Sequence, residues 1–103
     1  QKLGILIFTI FNQLYIMNVA VWDTYVKRKD GKAMHFDILV NAEVEHTERI
    51  LEYGKHYLQT KGFSTEGIKA KKCKFCHIEV ASDQVQQDIE RKGFSIIEML
   101  NCN

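Results

Sequence analysis

Two thiols, an imidazole and a carboxylate fall within seven positions of this chain, in the run Cys73-Lys74-Phe75-Cys76-His77-Ile78-Glu79, and a third thiol, Cys102, is the penultimate residue. Thiolate and imidazole are ligand types that zinc favours, and Cys73, Cys76, His77 and Cys102 would make a tetrahedral set of three sulfurs and one nitrogen. The letters Cys-x-x-Cys-His also match the attachment pattern of c-type haem, which needs both thiols at one porphyrin edge. A redox pair would instead need its thiols at a helix N-terminus, where the dipole lowers the thiol pKa. The surroundings argue against each. The segment alternates as a strand does, and an odd separation sends Cys73 and Cys76 to opposite faces. No glycine lies between Ala70 and Ser82 to make the tight turn of a zinc knuckle. The next helix starts only at Ser82, and Cys76 and His77, being adjacent, face apart. Cysteine is also among the residues most often simply buried. The cysteines are therefore read as structural and without a cofactor, and zinc on Cys73, Cys76, His77 and Cys102 is the alternative. Cys76 shares its side with Ile78 and Val80, whereas Cys73 lies with His77 and Glu79, where water or a ligand is expected.

A second cluster comes from a hairpin. Residues 18–26 are β-branched and aromatic, Asp30-Gly31 is a favoured pair for a two-residue turn, and 33–40 read as the return strand. With that turn, Tyr25 stands opposite Phe36 and Thr24 opposite Asp37. One face then carries Val19, Val21, Asp23 and Tyr25 with Met34, Phe36, Ile38 and Val40, a core face with a single odd acid. The other carries Trp22, Thr24 and Val26 with His35, Asp37 and Leu39. There Thr24, His35 and Asp37 converge beside Trp22, giving a hydroxyl, an imidazole and an acid on an aromatic floor. Such a group could bind a small polar ligand or do general acid–base work. The assignment depends on loop length, because a loop with an odd number of residues changes the pairing.

The elements that must position these residues follow in order. Val44, Thr47, Ile50, Leu51, Gly54, Tyr57 and Leu58 recur at three- and four-residue spacing and predict a helix from 42–47 to 61, closed by Gly62 in the left-handed region. Gly54 lies inside the apolar stripe, at a cost of about 1 kcal/mol against alanine that a close approach to the sheet would offset. Residues 69–80 alternate as a third strand. Ser82 caps a second helix with Val85 and Ile89 on its apolar edge and Gly93 at its end, and 94–100 form the last strand. The result is a single α+β domain of order β-β-α-β-α-β, its four strands in a mixed sheet because helical crossovers favour parallel neighbours.

At 103 residues, 46% hydrophobic and 26% charged, the chain has the size and make-up of one ordinary globular domain. Fourteen basic against thirteen acidic residues give no charge bias toward nucleic acid or a membrane surface. The lysines at 27, 29 and 32 with Arg28, and at 69, 71, 72 and 74, could bind an anion, but lysines on strand edges more commonly prevent aggregation. Three cysteines, an odd and low count, fit a reducing compartment, so the cytoplasm is expected. Residues 1–16 differ from the rest. They hold one cation, no acid and an apolar run from Leu3 to Phe11, shorter than the roughly 20 residues that cross a bilayer. They read as upstream or cloning-derived sequence before a native start at Met17, or as an extra β-strand. A sheet edge or this apolar leader offers a route to a homo-oligomer.

From Met17 onward the chain resembles a family of small bacterial proteins described only as a domain of unknown function. The resemblance rests on Met17-Asn18-Val19-Ala20-Val21-Trp22-Asp23-Thr24-Tyr25-Val26, His35-Phe36-Asp37-Ile38-Leu39-Val40, Leu51-Glu52-Tyr53-Gly54-Lys55, Cys73-Lys74-Phe75-Cys76-His77-Ile78-Glu79 and Ile96-Ile97-Glu98-Met99. It covers residues 17–102 and implies a compact α/β fold without supplying an activity. The function expected is that of a small cytoplasmic, non-catalytic binding or accessory module. The alternative is a thiol- or zinc-dependent protein centred on the cysteine segment.

Overall fold

The computed structural model describes residues 18–73 and 82–103. They form β1 (Val19–Arg28), β2 (Ala33–Asn41), α1 (Thr47–Leu58), β3 (Thr65–Lys72), α2 (Asp83–Lys92) and β4 (Ser95–Leu100). The element order is the expected one, but the sheet is antiparallel throughout rather than mixed. Its spatial order is β3-β1-β2-β4, with β3 pairing β1 and β4 pairing β2. The crossover through α1 does leave β3 running in the same direction as β2. It carries the chain past β1 to the far edge, however, so the two like-directed strands never become neighbours.

The turn between β1 and β2 decides which residues are inside. Arg28 N–H donates to Lys32 O at 2.9 Å and Gly31 N–H to Arg28 O at 3.0 Å, while Gly31 sits at φ +94°. Lys29, Asp30 and Gly31 thus form a three-residue loop, a tight turn followed by a glycine in the left-handed region. The Asp30 carboxylate accepts from Lys32 N–H and from the Arg28 guanidinium. The odd count shifts the ladder by one from the two-residue expectation: Thr24 pairs with Phe36, Tyr25 with His35 and Asp23 with Asp37. A one-residue shift exchanges every side chain of one strand relative to its partner. The core face therefore carries Ala20, Trp22, Thr24 and Val26 with Met34, Phe36, Ile38 and Val40.

α1 lies on that face. Its Ile50, Gly54 and Tyr57 are buried, with Tyr57 packing against Phe36 at 4.6 Å between ring centroids. Met34, Phe36, Ile38, Val40 and Ile50 are fully enclosed, each contributing about 1.5–3 kcal/mol of apolar burial. α1 is shorter than its periodicity predicts. Thr60 N–H and Lys61 N–H bond back three residues to Tyr57 O and Leu58 O, and Gly62 does not take a positive φ. A tightened last turn ends this helix in place of the expected glycine cap. α2 follows its signals closely: the Ser82 hydroxyl accepts from Val85 N–H at 3.3 Å, and Gly93 at φ +95° closes the other end.

Arg28 belongs to the scaffold and not to an anion-binding edge. Its guanidinium lies 3.6 Å from the Phe63 ring centroid and donates to the carbonyls of Asn101 at 3.1 Å and Asn103 at 2.7 Å. Only 6% of the residue is exposed. A planar cation with several donors is suited to this joint of turn, loop and last residues, as a flexible ammonium would not be.

Candidate functional site on the far face of the sheet

Opposite the α1 face, the ladder builds a second group of residues. Asp23 on β1 and Asp37 on β2 are directly opposed, and two positions along, Tyr25 is opposed to His35. The Tyr25 and His35 rings stack with centroids 4.4 Å apart and planes inclined by 7°. This holds the imidazole so that its Nε2 lies 3.5 Å from Asp37 Oδ1 and 3.7 Å from Asp23 Oδ1. Nε2 of His35 and Oδ1 of Asp37 are both closed off from solvent, and neither has a hydrogen-bond partner. The flanking strands frame the group. On β3, Lys71 stands opposite Asp23 and Lys69 opposite Tyr25, while on β4 the half-exposed Ile97 stands opposite Asp37.

Like charges placed directly across a ladder are unfavourable. Burial, with the Asp23 carboxylate next in importance, holds the Asp37 carboxyl above the usual range, and the imidazole of His35 pulls it the other way. Two carboxylates and an imidazole whose ligand atoms all lie within 4.8 Å of one another can share a proton or surround a cation. Tyr25, 54% exposed, adds an aromatic surface at the rim.

The residues expected to form a site divide between the two faces. His35 and Asp37 come together, as the hairpin reading expects. Trp22 and Thr24 do not join them, because the three-residue turn sends both into the core. Trp22 is 5% exposed, and Thr24 is fully enclosed and donates to Trp22 O at 3.1 Å. Asp23 and Tyr25 take their places. Sequence reasoning put these two on the core face, although an acid there was the one residue that did not belong.

Of the cysteine segment, Cys73 follows β3, its N–H donating to Val21 O at 2.8 Å. Cys76, His77 and Glu79 lie outside the described residues, as does the expected continuation of the third strand to residue 80. Cys102 is a free, buried thiol beyond the end of β4, donating to His35 O at 3.3 Å and Leu100 O at 3.4 Å. β3 and β4 are the two opposite edges of the sheet, so the structure sets Cys73 and Cys102 apart rather than at one tetrahedral centre.

A separate polar joint lies on the α1 side. The Glu98 carboxylate accepts from the Tyr57 hydroxyl and from the Lys61 ammonium, beside a cavity of about 350 Å³ lined in part by His56, Asp88 and Phe94. Among the described residues, Glu98's side-chain partners are supplied by α1 and the turn after it, so this joint clamps helix to sheet.

Together the fold and the cluster define a class of small α+β domain, a four-stranded antiparallel sheet bearing an acid–imidazole group on the face away from α1. Residues 17–99 match the family described as Domain of unknown function (DUF2024), and the chain belongs to that family. It is similar to protein NE1680 from Nitrosomonas europaea, a structural genomics target solved by NMR, with 33% identity over 82% of this chain and 98% of that one and a TM-score of 0.58. No curated protein matches the chain.

Proposed function

We propose that this protein is a non-catalytic binding module and that its ligand is taken on the far face, at Asp23, His35 and Asp37 with Tyr25 at the rim. The observation that carries the reading is the direct opposition of two carboxylates beside an imidazole, at a place where none of the three closes the core. Like charges opposed across a ladder cost stability, which points to a use other than folding. We place the module in the cytoplasm. A low cysteine count supports this. The thiol- or zinc-dependent alternative loses Cys102 as a partner of Cys73, and the binding reading takes precedence.

The test is Asp37→Asn in the full chain, followed by urea unfolding at neutral pH. Removing one of two opposed carboxylates should leave stability unchanged or raise it by about 0.5–1 kcal/mol. A loss of more than about 1 kcal/mol would make Asp37 a structural residue and defeat the reading.

A further inference from the structure

We propose that Asp23, His35 and Asp37 form a binding site for a divalent first-row transition ion of the zinc type. This names the ligand of the far-face site and rests on the binding reading given above.

Two independent observations point to it. The first is donor geometry. Bonds of about 2.0–2.2 Å to nitrogen and oxygen place the donors of a tetrahedral ion about 3.3–3.6 Å apart. His35 Nε2 already stands at about that spacing, 3.5 Å from Asp37 Oδ1 and 3.7 Å from Asp23 Oδ1, and all three ligand atoms lie within 4.8 Å of one another. The second is the state of the donors. His35 Nε2 and Asp37 Oδ1 face one another at 3.5 Å, shut off from solvent, too far apart for a good hydrogen bond and with no other partner, although buried polar atoms are nearly always satisfied. One cation between them satisfies both atoms and offsets the opposition of the two carboxylates.

The donor set selects the ion. Calcium and magnesium take oxygen ligands, whereas one imidazole with two carboxylates suits zinc, cobalt, manganese or iron. The Tyr25 ring holds the imidazole from one side, which is the kind of outer support that keeps a ligating histidine in place. Three protein ligands leave a coordination position open, as in sites that exchange a bound molecule and unlike closed structural sites. Asp23 is the most exposed of the three, its side chain 36% accessible, so that position lies toward solvent on its side. Lys71 stands opposite Asp23 on β3, a cation on the same face of the sheet.

The experiment is titration of the reduced, chelator-treated full chain with Co²⁺, followed by displacement with Zn²⁺. One Co²⁺ per chain should bind, with the visible bands of nitrogen and oxygen ligation and no thiolate charge-transfer band. Affinity should fall by about tenfold or more in both His35→Ala and Asp37→Asn, stay unchanged in Cys73→Ser and rise in Lys71→Met. Thiolate bands, or binding that survives His35→Ala and disappears in Cys73→Ser, would move the ion to the cysteine segment and overturn the proposal. Absence of binding at millimolar Co²⁺ would overturn it as well. If no ion binds while Asp37→Asn still keeps or raises stability, this inference falls alone; if Asp37→Asn lowers stability, the binding reading falls with it.

Discussion

Ile68 on β3 occupies the space that a side chain at residue 54 would need. A Cβ there would stand 2.4 Å from Ile68 Cδ1 and 3.3 Å from Ile38 Cδ1. α1 therefore rests its backbone directly on β3 and β2 side chains, and Gly54 is what permits the approach.

Gly54→Leu should destabilise the protein by about 1–3 kcal/mol through overpacking. Gly54→Ala should be much milder, within about 1 kcal/mol of the parent. The obstructing Ile68 atom is the tip of a flexible side chain, and alanine recovers about 1 kcal/mol of helix propensity. Urea unfolding of the two variants measures both. A neutral leucine would mean that α1 does not press on the sheet at this point.

Glu98 gives a pH dependence of definite sign. Its hydrogen bonds from Lys61 and then Tyr57 hold the carboxyl below its ordinary value of about 4.5. A depressed acid contributes stability that is present above the unfolded pKa and is lost as pH falls through the folded one. Melting temperature should therefore drop below about pH 4.5, and Glu98→Gln should flatten that part of the profile. Tyr57 acts at the other end: burial, with Glu98 next, raises its phenol well above the ordinary range. Its contribution is complete below about pH 10 and declines above it, and Tyr57→Phe should remove that alkaline decline.

Arg28→Met should cost roughly 1–3 kcal/mol, because the Asn101 and Asn103 carbonyls lose a charged donor. Arg28→Lys should recover little of it, since one ammonium cannot lie on Phe63 and reach both carbonyls and Asp30 together. Amide exchange at residues 101–103 should quicken in both variants. A fully rescuing lysine would show that charge alone matters at this joint.

Cys102 should resist alkylation in the native state and react readily once the chain unfolds. Its sulfur is enclosed at the end of β4 and donates to two carbonyls. Native alkylation followed by peptide mass analysis reads the rate directly. Rapid modification under native conditions would mean that the segment after β4 opens independently of the rest.

The elements themselves were legible because local signals agree with the fold. Ser82 and Gly93 bracket α2, Gly54 marks a close approach, and the apolar stripe of α1 picks out Ile50 and Tyr57. The sheet order was not legible, since nothing local says whether a crossover stops beside its own strand or passes one more. The site was half legible. His35 and Asp37 share a face whatever the turn, because they lie on one strand two residues apart. Their companions on β1 depend on the count of turn residues, and Asp30-Gly31 reads as well for a two-residue loop as for the last two positions of a three-residue one. An acid at position 23 on a supposed core face was the available clue, since an unpaired carboxylate is costly to bury. Arg28 was hidden for another reason: the carbonyls it holds lie more than seventy residues away in the chain.

The three-residue turn also limits how this chain can change in length. Loss or gain of a single residue between Arg28 and Lys32 would turn one hairpin strand over relative to the other. Asp23 and Tyr25 would then share a face with Met34, Phe36 and Ile38, and His35 and Asp37 would be left with Trp22 and Thr24. The acid–imidazole group would be dismantled, and the core would take in either Asp23 or Asp37 with His35. Insertions and deletions at this point are therefore tolerated two residues at a time, and the turn keeps the parity of the whole sheet.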